Sequence, residues 1–236
     1  MKTSSSTKRI LGALIFALGV LAGTLLTAGL AWAGMEATLY GFERYTTNHF
    51  DGLSCPLLMT RTESATIHVS VNNPSNLVIT PFITIDLSTP GMPDTQQVQV
   101  SVPPGQTREL QATVSPDNID RKWFIFVKAN RSASYPVDTA EALCGILVLD
   151  VPIQSGLQLL VIWLALGLLC TPLGLWLWES GTQRHGRTHG VMKALALTVL
   201  GGLAVGLTGF LWMVAVLLLV ITILLSVGLL RLLARI

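Results

Sequence analysis

Three long apolar runs frame this chain: Ile10 to Leu30, Leu157 to Trp178 and Ala194 to Leu230 contain no Asp, Glu, Lys, Arg or His. As one helix rising about 1.5 Å per residue, the last run would be roughly 55 Å long, against a hydrocarbon core of ~30 Å. It is therefore expected to fold back on itself. The breaking point is Gly206-Leu-Thr-Gly209, which leaves two spans near the ~20 residues that a crossing needs.

Between the first two runs the pattern changes to strict alternation, the mark of half-buried strands. Ile67, Val69 and Val71 alternate with His68 and Ser70; Val98, Val100 and Val102 with Gln99 and Ser101; Leu110, Ala112 and Val114 with Gln111 and Thr113. Turn residues separate them at Asn72-Asn-Pro-Ser75, Pro90-Gly-Met-Pro93, Pro103-Pro-Gly105 and Ser115-Pro-Asp-Asn118. Roughly seven short strands in about 100 residues predict a β-sandwich. Lys122 to Ala129 is apolar on both faces, which predicts a central strand, and Ile146 to Val151 would be the last one. Pro81 interrupts the run from Leu77 to Leu87 and predicts a bulge or an edge there.

Charge assigns sides to this pattern. The net charge is only +2, yet residues 34–156 hold all but one of the 13 acids, while the rest of the chain has Glu179 alone. Outside that segment the basic residues cluster beside the apolar runs: Lys2, Lys8 and Arg9, then Arg184, Arg187 and Lys193, then Arg231 and Arg235. This is the form of a positive-inside bias, and without a long basic patch or interleaved aromatics it does not describe a nucleic-acid surface. The implied organisation is an amino-terminal segment 1–33, an extracytoplasmic β domain 34–156, a transmembrane helix 157–178, a cytoplasmic basic loop 179–193, and a transmembrane hairpin 194–236 with a cytoplasmic carboxyl end. Trp32, Trp163 and Trp212 would lie towards the outer interface and Trp176 and Trp178 towards the inner one. The first run, ending in Ala31-Trp32-Ala33, reads as a retained anchor (four helices) or as a cleaved signal peptide (three); both place residue 34 outside.

Val71-Asn-Asn-Pro followed by a strand, and Val102-Pro-Pro-Gly-Gln-Thr before Leu110 and Val114, resemble the bacterial extracytoplasmic immunoglobulin-like modules of the CARDB type, over about 80 residues. The resemblance implies a fold and a group composed mostly of adhesion, spacer or binding modules. It supplies no catalytic residues.

Cys55 precedes the first core strand and Cys144 the last, and such strands often run close together in a sandwich. A Cys55–Cys144 disulfide is predicted, closing a loop of about 90 residues and contributing on the order of 4 kcal/mol; two free buried thiols are the alternative. Cys170, in mid-span, is an apolar filler. Asn130-Arg131-Ser132 matches a glycosylation acceptor after a strand, but a bacterial origin argues against its use.

Candidate chemistry is sparse. His185 and His189 would face the same way on a helix, but Gly186 and Gly190 disfavour that helix and the pair reads as part of a solvated basic loop. His49 and His68 accompany no nucleophile pattern, and no calcium loop, zinc spacing or phosphate loop occurs. No catalytic, cofactor or metal site is expected. The spans lack the ionisable groups that proton relays, ion paths and many substrate sites require. They hold threonines and small-residue spacings, Gly19 with Gly23 and Gly202 with Gly206, which suit helix packing. These readings lead to a non-catalytic envelope protein, an accessory or scaffold subunit of a membrane complex whose partners are lipids and other membrane or extracytoplasmic proteins. A displayed binding or adhesion module on a plain anchor, and a transporter or channel component, are the alternatives.

Overall fold

The structure, a computed structural model, describes residues 5–43, 46–153, 155–181, 187–208 and 211–233. It divides into two compact units: Ala33–Gln158, and the helical segments flanking it in sequence.

Among the described residues the first unit has eight strands: β1 (Leu53–Ser54), β2 (Leu58–Thr60), β3 (Ala65–Asn72), β4 (Phe82–Leu87), β5 (Asp94–Gln99), β6 (Thr107–Val114), β7 (Phe124–Arg131) and β8 (Ala140–Leu149). They form a three-stranded sheet, β1-β3-β6, and a five-stranded sheet, β2-β8-β7-β4-β5. All pairings are antiparallel except β2 with β8. Alternate residues of both sheets point into one core: Ile67, Val69, Val71, Ala112 and Val114 from one, Ile83, Ile85, Ile125, Val127, Ile146 and Val148 from the other. This is the period-two pattern of the sequence, realised as burial.

Several details depart from expectation. Pro81 makes no bulge. The register of β4 with β5 continues unbroken through it, since Val100 N–H donates to Pro81 O and Ile79 and Val102 exchange both bonds; proline removes one donor from the ladder and nothing more. Its strand is second from the edge. The edge is β5, exposed along its whole length, Val98 included. The last strand begins at Ala140, so Cys144 lies in mid-strand. Asn130 belongs to β7 and its Oδ1 is buried, so the acceptor motif lies in a strand and not on an exposed loop.

The amino-terminal helix α1 runs from Ser5 to Leu39, past the boundary predicted at residue 33. Met35, Glu36, Ala37 and Leu39 are good helix formers, and Gly34 alone does not stop the helix. Its last turns belong to the β unit, where Ala33 and Ala37 are buried. A β-carbon on Gly145 of β8 would come within 2.1 Å of Ala33 O, so only glycine lets the helix backbone lie there. Tyr40 and Phe42 continue this layer, with Tyr40 4.6 Å from both Phe42 and Phe126. Hence β7 is covered on both faces, as its doubly apolar sequence requires.

The second unit contains the rest of α1 and most of α2 (Gly156–Ser180), with α3 (Arg187–Gly206) and α4 (Trp212–Leu233). All four helices are long and apolar enough to span a membrane. Within α2, Leu166–Cys170 forms a π-helical turn just before Pro172, which has no N–H to continue the regular ladder. Gly190 does not break α3, so the loop expected over 179–193 is shorter, and His189 and Lys193 are helical. The final run divides where α3 ends at Gly206 and α4 begins at Trp212. These helices pack antiparallel, with Thr222 Oγ1 3.2 Å from Thr198 Oγ1.

Candidate functional site

Two places in the chain concentrate specific contacts. In the β unit they lie on the face of the five-stranded sheet away from its core. Lys128, on central β7, is fully buried and pairs with Glu141 of β8 at 3.2 Å. Antiparallel pairing sets Lys128 beside Leu143, so Glu141 is its diagonal neighbour. Lys128 Nζ also donates to Glu43 O. Nearby, the Tyr40 hydroxyl bonds to Asp120, and burial together with that carboxylate pushes the phenol up to about 12. Arg121 pairs with Glu36, and Arg61 with Asp150 at 3.4 Å. Glu63 Oε2 accepts from Gly156 N at 2.6 Å and from Thr60 N at 3.0 Å, placing a carboxylate at the start of α2. All of these contacts lie within the β unit.

Arg121 and Lys122 both adopt positive φ, 48° and 67°, in the tight turn closed by the two bonds between Asp120 and Phe124. Such a pair of non-glycine residues is strained. They border a depression of about 480 Å³ with Arg61, Pro90, Pro116, Ile119 and Asp120. Two of its basic groups, Arg61 and Arg121, are paired with Asp150 and Glu36, and Lys122 lines it as well. His49 pairs with Asp51 on the surface. Burial pulls the Arg131 guanidinium below its ordinary range, opposed by Asp138. Among the described residues no group of three or more His, Cys, Asp or Glu side chains could hold a metal ion.

In the helix unit, contact is made backbone to backbone. β-Carbons built on Gly12 and Gly19 would each lie 2.5 Å from a backbone nitrogen of α2, of Trp178 and Thr171 respectively. One on Gly174 would lie 2.3 Å from Phe16 N. Gly23 faces Val199, Gly202 faces Thr27 at 3.3 Å, and Gly206 lies more loosely against Thr27 and Leu30 at 3.8 Å. Gly12, Gly167 and Gly174 are the contacts that small-xxx-small spacing missed. Their signal is a seven-residue repeat, Gly12 with Gly19 and Gly167 with Gly174, the period of helices crossing at a shallow angle.

At one end of the unit the Arg9 guanidinium stacks on buried Trp178 at 4.6 Å. Glu179 approaches His189 at 3.4 Å and Lys193 at 3.6 Å. Lys8 is exposed and Arg231 is in the last turn of α4. Arg187 opens α3; Arg184, His185 and Arg235 lie outside the described residues. A groove of about 550 Å³ runs alongside, lined by α1 from Ala13 to Thr24, by α4 from Thr222 to Leu230, and by Trp178, Met192 and Leu195.

Cys55 and Cys144 form a disulfide, with Cα atoms 6.5 Å apart, between the segment joining β1 to β2 and mid-β8. Cys170 is a free thiol.

The chain matches no protein-family model and no curated protein. Solved structures give weak likenesses. The CARDB domain of a Pyrococcus furiosus protein, solved in complex with di-metal ions, is 12% identical over 46% of this chain and 98% of that one, with a TM-score of 0.34. A Listeria innocua β-glucosidase solved with glucose is 14% identical with a TM-score of 0.32, and one from Erythrobacter marinus is 13% identical with a TM-score of 0.31. This chain spans only 19% and 15% of those two enzymes. One of these weak likenesses is thus a CARDB domain, the type of module that the strands and turns resemble.

Proposed function

We propose that this is a non-catalytic, membrane-anchored protein that presents an immunoglobulin-like β-sandwich outside a bacterial plasma membrane and serves as an accessory or scaffold subunit of a membrane complex. The observation that carries this reading is the glycine seam. A tether needs one helix and no particular neighbour, whereas backbone contacts at Gly12, Gly19 and Gly174 specify a multi-helix body of defined shape. Helix α4 leaves much of its apolar surface uncovered, with Met213, Leu217 and Leu224 exposed. It is the surface a partner's helix would use. The positive-inside bias of the basic clusters supports a cytoplasmic amino terminus, α2–α3 connection and carboxyl end.

The test is solubilisation from the native membrane in mild detergent, pull-down and identification of what accompanies the protein. A defined membrane partner, lost when exposed α4 residues such as Leu217 and Leu224 are changed to bulkier Trp, supports the reading. A monomer that brings nothing overturns it.

Edge strand β5 favours a second reading, a displayed binding module on a plain anchor. Six exposed residues with a free ladder edge can accept an added strand. Function that survives replacement of all spans by one unrelated helix would select it.

A further inference from the structure

We propose that the groove between α1 and α4 holds one acyl chain of an anionic phospholipid whose headgroup lies among Arg9, Lys8, Lys193 and Arg231. The inference rests on the membrane reading above.

Three features of the groove point to this occupant. The first is its length. Its α1 wall extends from Ala13 to Thr24, about 16 Å of helix, which matches one leaflet of a ~30 Å hydrocarbon core. A partner's helix would need a seat through the whole core, whereas a lipid chain ends at mid-depth. The second is its lining. Leu14, Leu21, Ile223, Val227 and Leu230 form exposed walls, and the volume lies within the roughly 300–1,000 Å³ of ligand pockets. Thr222 and Ser226 spend their hydroxyls on the carbonyls of Leu218 and Thr222, at 2.8 Å each, which leaves Thr24 at the far end of the α1 wall as the lining hydroxyl without a partner.

The third is charge at one end only. Arg9 lies one helical turn before Ala13, and its stack on Trp178 holds the guanidinium beside a groove residue. Arg231 follows Leu230 directly, and Lys193 follows Met192, both lining residues. Four cations thus meet one acid, Glu179, which is already within 3.6 Å of Lys193. An excess of positive charge at the mouth of an apolar groove between spans selects anionic headgroups.

The experiment exposes the full chain in detergent to equal phosphatidylglycerol and phosphatidylcholine and counts retained lipids by native mass spectrometry. One retained phospholipid is expected, phosphatidylglycerol over phosphatidylcholine. Arg9→Gln and Arg231→Gln should each lower that preference about fivefold, the worth of one charge near a membrane surface. Arg231 is exposed, so R231Q keeps the test valid if R9Q disturbs the Trp178 stack. Ala17→Trp, on the groove's exposed wall, should abolish retention of both lipids. Equal retention of the two lipids by the unaltered protein, or undiminished retention by A17W, overturns the proposal. So does A17W turning a dimer into a monomer with lipid retention unchanged, which would give the groove to a second copy. Flotation with vesicles after alkaline extraction separates the two readings: a protein that does not float defeats both, and one that floats without lipid preference defeats this one alone.

Discussion

Removing Glu141 would take from buried Lys128 the carboxylate that faces its ammonium inside the β unit. The two side chains are 8% and 0% exposed, with Nζ and Oε2 3.2 Å apart. At an effective dielectric of ~20 that separation is worth roughly 5 kcal/mol of attraction. Lys128 retains the Glu43 carbonyl after Glu141→Ala, so the expected cost falls at the lower end of the ~3–5 kcal/mol typical of breaking a buried pair, about 3 kcal/mol. The loss should appear as faster native-state hydrogen exchange in peptides from β7 and β8 of the full chain in micelles, with helix peptides unchanged. In thermal unfolding it corresponds to a drop of about 10 °C for a unit of this size. The double change Lys128→Met with Glu141→Leu removes both charges and keeps much of the volume, so it should recover most of the stability. A cost for E141A of under about 1 kcal/mol, the range of exposed pairs, would refute the reasoning. So would a double variant no more stable than the single one.

Other expectations follow from the same contacts. Reduction of the Cys55–Cys144 bond, or Cys144→Ser, should lower the stability of the β unit by about 4 kcal/mol in chemical denaturation, because the bond closes a long loop in the unfolded chain. Tyr40 is held neutral, chiefly by burial and then by Asp120, so its contribution is complete below pH 10 and fades as pH rises from there through about 12; Tyr40→Phe should flatten that alkaline decline, and an absorbance titration of the phenolate reports it directly. Gly174→Val should force α1 from α2 and lower the melting temperature in micelles, whereas Gly190→Ala, with no atom within 4 Å of the added carbon, should not. A single cysteine replacing Arg235, in a Cys170→Ser background, should react with an impermeant maleimide only after the membrane is opened; labelling of intact cells would make the last run a single crossing.

Hydrophobic periodicity by itself determined the large divisions of this protein: apolar runs about 20 residues long become helices, and residues alternating with period two become the two walls of a core. Ile67, Val69 and Val71 are buried for the reason their spacing gives, and the doubly apolar stretch around Phe126 needed cover on both faces. The position of two cysteines near first and last strands was enough to pair them. Other features depended on partners distant in sequence. Nothing local to Gly145 announces that a helix backbone rests on it, and nothing local to Lys128 announces its burial beside Glu141, because each depends on strands and a helix meeting in space. Alternation made Val98 a core candidate, but the order of strands left β5 outermost and Val98 exposed. The sequence marked Pro81 as a break, whereas the ladder around it absorbed the loss of one donor. The groove beside α1 is the furthest from sequence, since its walls come from separate helices and its charged mouth exists only once Arg9, Lys193 and Arg231 are brought to one end. Local pattern specifies which surfaces must be buried, and tertiary packing alone decides what buries them and which gaps remain.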